Sequence, residues 1–154
     1  MEMLESMLLA HPFLAGMDPG FGHLLFGCAR NLRFAPGTFL FREGESADEF
    51  YLLREGRVAL QLHIPGRSPL VIATLGGGDL VGASWLVAPY RWSYDALATA
   101  PTRAFGLNAA CLREKSEVDH HLGYEMMRRL VPVMVKRMQA ARHQLIDVYG
   151  RPPT

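Results

Sequence analysis

Phe34 to Leu62 reads FAPGTFLFREGESADEFYLLREGRVALQL. Short runs rich in aromatic and branched side chains are divided by Pro36-Gly37, Glu43-Gly44 and Glu55-Gly56, pairs that punctuate strands with tight turns. In RVALQLHI, which continues this stretch to Ile64, Val58, Leu60, Leu62 and Ile64 share one face while Ala59, Gln61 and His63 share the other. That alternation is the mark of a half-buried strand. The same texture spreads outward: NLRF before it, then PLVIATL, WSYDALAT and TRAFGL after it, ending at Leu107. Strands at roughly 8 to 12 residue spacing imply an all-β barrel or sandwich, antiparallel rather than βαβ.

The flanks read differently. MLESMLLA is a short apolar helix, and Asp18-Pro19 is an N-cap with an N1 proline ahead of FGHLLFGCA. Asn108 is the expected N-cap of AACLREK, after which a helical period runs to Val148. Leu122, Met126, Leu130, Val133, Arg137, Ala140, Gln144 and Val148 fall at alternating four and three spacing. Such a stripe predicts a dimer seam, with Arg137 and Gln144 interrupting it. Pro132 is expected to kink or break this helix. The division is therefore one domain over 1–150: N-terminal helices over 1–30, a β-rich body over 31–107 and C-terminal helices over 109–148. A loose tail follows over 151–154.

Bulk properties bound the function. A chain of 154 residues, 49% hydrophobic and 20% charged, is one domain with its own core. A formal charge of +1 provides no field drawing the protein to nucleic acid or an anionic membrane. Cys28 and Cys111 lie far apart among apolar neighbours and outside any CxxC pattern, which suggests reduced structural thiols and a cytoplasmic setting. The N-terminus has acids where a secretory signal has bases, and no apolar run reaches membrane-spanning length.

Chemical motifs are few. Gly76 to Gly78 lacks a following Gly-Lys-Ser or Gly-Lys-Thr, so it is a turn and not a P-loop. His121 and Glu125 are four apart on a helix, but two ligands do not make a metal site. No nucleophile elbow and no spaced Cys/His set appear, so catalysis has no carrier. Arg128, Arg129, Lys136, Arg137 and Arg142 make the last helix basic, as expected of a solvated face beside a seam.

The run from Phe34 to Leu62 resembles the opening of the cyclic nucleotide-binding domain found in catabolite-activator and FNR-type regulators. Gly44 and Gly56 stand at that family's two tight turns, LGGGDLVGASWL is similar to its phosphate-binding cassette, and DVYGR at Asp147 to Arg151 looks like the end of its dimerising helix. The resemblance implies a β-roll, a jelly-roll-like barrel, with short N-terminal helices, a long C-terminal dimerisation helix and a pocket for cyclic AMP or cyclic GMP beneath the cassette. The sequence stops where the DNA-reading relatives begin a helix-turn-helix, so nucleic acid is not an expected partner.

In a working cassette of that family a Glu accepts from the ribose 2′-hydroxyl and an Arg pairs with the cyclic phosphate. Gly78, Asp79, Leu80, Val81 and Gly82 fit the pattern, but Ala83 stands at the ribose acid and Trp85 at a small residue. Aligning WSYDALA with the Arg-led strand places Trp92 at the arginine. Arg91 would then serve only through a bulge, because a one-residue shift turns a side chain to the other face. Candidate ligand residues are Gly78, Asp79, Gly82, Ala83, Ser84, Trp85, Arg91, Trp92 and Ser93; candidate seam residues are Leu122, Met126, Leu130, Val133, Arg137 and Ala140. Each lost charge-assisted contact weakens binding by about 1.5–3 kcal/mol.

The aromatic cluster Trp85, Tyr90, Trp92 and Tyr94 is either a stacking platform for a flat ligand or core that fills an unused pocket, the simpler of the two. The expected protein is a stand-alone, non-catalytic regulatory module with a degenerate cassette. It would act as a homodimer or through a partner protein. A true small-molecule sensor is the alternative, and a DNA-binding regulator the weakest reading.

Overall fold

The computed structural model describes residues 2–149; the expected tail over 151–154 lies outside them. Eight strands form two four-stranded antiparallel sheets that enclose the core. β1 (Ala29–Phe34), β8 (Thr102–Asn108), β3 (Glu49–Glu55) and β6 (Leu80–Val81) make one sheet in that order. β2 (Phe39–Phe41), β7 (Asp95–Ala98), β4 (Val58–Leu62) and β5 (Leu70–Leu75) make the other. The expected β-roll is therefore present, beginning at Ala29 and ending at Asn108. β8 pairs on both sides, aligning Tyr51 with Gly106 across one ladder and Leu32 with Ala104 across the other.

The three early turn signals mark loops as read. Gly56, at φ +110°, has room for no Cβ: one built there would sit 2.5 Å from the Thr102 hydroxyl oxygen. In β4 the expected alternation does not hold: Val58, Ala59 and Leu60 are all buried, Gln61 and Leu62 are half-buried beyond a register shift between Leu60 and Gln61, and the strand stops at Leu62.

Helices close the ends of the roll. α1 (Glu2–Leu9) and α2 (Pro19–Gly27) bury Leu8, Phe21 and Leu25, with Leu14 of the segment between them, and Asp18 caps α2 by accepting from the Gly20 N–H. Between them His11 is buried: its Nδ1 accepts from the Phe13 N–H, so Nε2 carries the proton donated to the Leu53 carbonyl. Burial holds its pKa below the ordinary value, against the raising effects of that bond and of Asp79. α3 (Ala109–Val118) begins on Asn108, whose side chain accepts from the Cys111 N–H. α4 (His120–Tyr149) begins on Asp119, whose carboxylate accepts from the N–H groups of His121 and Leu122.

Three expectations need correction. The helical break falls at Asp119, and α4 runs through Pro132 without one. Cys28 and Cys111 are joined by a disulfide instead of standing as free thiols. The C-terminal end of α2 and the first turn of α3 bring their Cα atoms to 6.1 Å, within bridging range despite a sequence separation of 83. Finally, Leu122, Met126 and Leu130 are fully buried within this one chain, where α4 meets α3 and the roll, so they are core and not a dimer seam. Val133, Arg137 and Ala140 continue that inward face half-buried, and the Val148 side chain lies outside the described residues.

Candidate functional site

The glycine-rich turn after β5 is folded onto β3. The Gly78 N–H donates to the Leu53 carbonyl and the Leu53 N–H to the Asp79 carbonyl, while the Asp79 carboxylate accepts from the Gly76 N–H. Gly78 and Asp79 are thereby committed to the turn and border a groove beside Pro12 and Phe13, away from the expected pocket. β6 then leads to Gly82, at φ +102°, where an added Cβ would lie 2.5 Å from the Trp92 ring. The expected cassette helix is only a 3₁₀ turn, Ser84–Leu86, with no side-chain cap, too short to gather much of a macrodipole.

The segment carrying Arg91 is held by a second set of backbone bonds. The Gly44 N–H donates to the Trp92 carbonyl, the Trp92 N–H to the Glu45 carbonyl, and the Ala47 N–H to the Tyr90 carbonyl. These bonds set the facing of the side chains. Trp92 turns inward, stacked on Phe41 at 3.9 Å between centroids and an 11° interplanar angle. Arg91 and Ser93, one residue to each side, turn outward into a common cleft. Trp92, aligned by sequence with the family's arginine, is thus a core residue, and Arg91 is the side chain that reaches the cleft; Gly44 and Glu45 both stand opposite Trp92, a bulge in the facing segment. Trp85 is likewise core, fully buried and parallel to Phe50 at 4.3 Å.

The cleft has a volume of about 460 Å³. One wall holds Ala83, Ser84 and the loop Val87–Pro89, a second holds Arg91, Ser93 and Tyr94, the floor holds Leu62 and Ile72, and α4 supplies Met134, Arg137, Met138 and Ala141. Of the candidate ligand residues, four meet here: Ala83, Ser84, Arg91 and Ser93. Arg137, placed in the seam by periodicity, meets them too. Arg91 and Arg137 are the charged side chains of this lining, and no carboxylate stands among it. The Arg91 Nη1 donates to the Gly44 carbonyl at 2.8 Å. The Arg137 Nη2 donates to the Leu80 carbonyl, which ties α4 to the cassette strand β6. Apolar walls around two guanidiniums suit a small anion with an apolar body.

Arg113 of α3 was not singled out by sequence. Its Nη1 donates to the Trp85 carbonyl at 2.6 Å and its guanidinium lies 4.3 Å from the centre of the Tyr90 ring, so it clamps the 3₁₀ turn to the loop bearing Arg91. An arginine on a helix surface carries no local signal of such a contact. His121 lies edge-on to Phe21 and 3.9 Å from Glu125, on the helix surface. Among the described residues no three His, Cys, Asp or Glu side chains gather as metal ligands, and no helix is long and apolar enough to cross a membrane.

Comparison with known proteins agrees with this fold. The cyclic nucleotide-binding domain family matches residues 31–118. A structure from Geobacter metallireducens, described as a candidate cyclic nucleotide-binding protein, is similar at a TM-score of 0.78 and 28% identity, over 87% of this chain and 97% of that one. A cyclic nucleotide-binding domain from Methylobacillus flagellatus is similar at 0.80 and 17% identity, over 99% and 87%. The regulatory subunit of a cAMP-independent protein kinase A from Trypanosoma brucei is similar at 0.71 and 19% identity, over 96% and 51%. A comparison with curated proteins finds no significant match.

Proposed function

The chain belongs to the cyclic nucleotide-binding domain family, and we propose that within it this protein is a non-catalytic regulatory module whose cleft binds a small anionic ligand through Arg91. One observation carries the reading: Arg91 has no acidic partner among the described residues and opens, beside Ser84 and Ser93, into an apolar-walled cleft. Ala83 offers no acceptor to a ribose hydroxyl. Cyclic AMP and cyclic GMP therefore bind weakly, with the loss of one charge-assisted contact, about 1.5–3 kcal/mol or roughly ten- to hundredfold in affinity. The same fold occurs in the regulatory subunit of a cAMP-independent protein kinase A, of which this chain spans 51%.

The output of such a module is contact. Tyr124, Met127, Val131, Met134, Met138 and Leu145 form a second apolar stripe on α4, all more than a third exposed. This stripe, rather than the buried one, is the face we assign to a homodimer. Met134 and Met138 belong both to it and to the cleft, so an occupied cleft alters the surface offered to the second copy. A cytoplasmic setting stays part of the proposal, although the reduced thiols that first pointed to it are bridged in the structure.

A second reading rests on Trp85 and Trp92: both are buried, as in a module that signals by contact with no ligand. Calorimetry with cyclic AMP and cyclic GMP on the wild type and Arg91→Ala separates the two. Weak binding lost in Arg91→Ala is the expected result. Absence of any Arg91-dependent binding favours the contact module, and submicromolar binding shows the ribose acid to be dispensable.

A further inference from the structure

Arg137 is the residue the first reading leaves unused. It reaches from α4 to the Leu80 carbonyl with Nη2, while its Nη1 is buried without an acceptor. It forms no ion pair among the described residues, and Glu125, the acid of this helix beside the core, is engaged by Arg128 and Arg129. A second guanidinium, supplied by α4, thus borders the same cleft as Arg91; it also borders the neighbouring groove beside Asp79 but forms no ion pair there. Arg91 is exposed and keeps its hydration, but the buried Arg137 Nη1 lacks an acceptor, a cost that a matching anion relieves. The planar fork of arginine favours carboxylate or phosphate over a neutral acceptor.

A cyclic mononucleotide carries one negative charge and leaves one of these arginines unmatched. We propose that the ligand of this cleft carries two separated anionic groups, one held by Arg91 and the other by Arg137, with its body against Tyr94, Met134 and Met138. This rests on the reading that the cleft binds an anion through Arg91, and it names the class of that anion. The thioether side chains of Met134 and Met138 are adaptable and accept a body of irregular outline. Because Arg137 also holds β6 to α4, the second anionic group would draw on the contact that joins the cassette to the long helix.

The test uses three probes with one base and one sugar: adenosine, cyclic AMP and adenosine 3′,5′-bisphosphate, titrated calorimetrically into the full chain at two salt concentrations. The bisphosphate is expected to bind about ten- to hundredfold more tightly than cyclic AMP, with the steeper salt dependence. Arg137→Gln should remove that advantage in a protein shown to be folded by circular dichroism; Arg91→Gln should weaken both nucleotides. Equal affinity of cyclic AMP and bisphosphate for the wild type overturns the proposal without recourse to any variant. A bisphosphate advantage that survives in folded Arg137→Gln also overturns it. Arg91-dependent cyclic AMP binding without a bisphosphate advantage defeats this inference alone; no Arg91-dependent binding of either nucleotide defeats the reading of the cleft as well.

Discussion

Trp92 lies between Phe41 and the backbone of Gly82, with 3% of its surface exposed. Its removal leaves a cavity that the fixed Gly44, Glu45 and Ala47 backbone bonds keep from collapsing. Trp92→Ala is therefore expected to destabilise the fold by about 3–5 kcal/mol, read from urea unfolding, and wild-type tryptophan emission should be blue-shifted because Trp85 is buried as well. Red-shifted emission with a small stability loss would show an open aromatic platform instead. At this scale the sequence revealed which residues form the neighbourhood but not which way they face. Ala83, Ser84, Arg91 and Ser93 were all legible as candidates. The parity that sends Arg91 outward and Trp92 inward is imposed by bonds to a loop nearly fifty positions earlier, which no pattern within WSYDALAT encodes.

The elements themselves were the most legible part. Short strand-like runs and the Gly44 and Gly56 turns announced the sheets, and Asp18 and Asn108 cap the helices they were expected to cap. Local chemistry suffices there, because a cap or a tight turn is decided within a few residues. The pairing of Cys28 with Cys111 was not legible, since it depends on where α2 and α3 meet. That bridge closes a loop long enough to limit the unfolded chain considerably. Reduction should lower stability by about 2–5 kcal/mol, measured by urea unfolding with and without dithiothreitol. Thiol titration of the denatured, unreduced protein should find no free cysteine; two free thiols would show the bridge to be absent.

At the scale of the whole molecule, α4 carries two apolar stripes and periodicity alone could not say which meets its own domain. Burial decides it. Leu122, Met126 and Leu130 serve the core of this chain, while Tyr124, Met127, Val131, Met134 and Met138 follow one another at alternating three and four spacing and stay exposed. An exposed seam with that spacing is satisfied by a second copy of the same helix, with methionine and valine as knobs. Neighbouring residues then have opposite roles. On the proposed interface Val131, 48% exposed, would face the second copy, whereas Leu130, 2% exposed, packs in the core. Light scattering of the wild type should give a dimer mass, and Val131→Asp should give a folded monomer with a little-changed chain fold by circular dichroism. Leu130→Asp should instead unfold or strongly destabilise the protein, because it buries an unpaired charge, a loss of roughly 3–5 kcal/mol. A wild-type monomer at tens of micromolar, or a folded Leu130→Asp monomer beside an intact Val131→Asp dimer, would return the interface to the stripe that periodicity first suggested or remove it altogether.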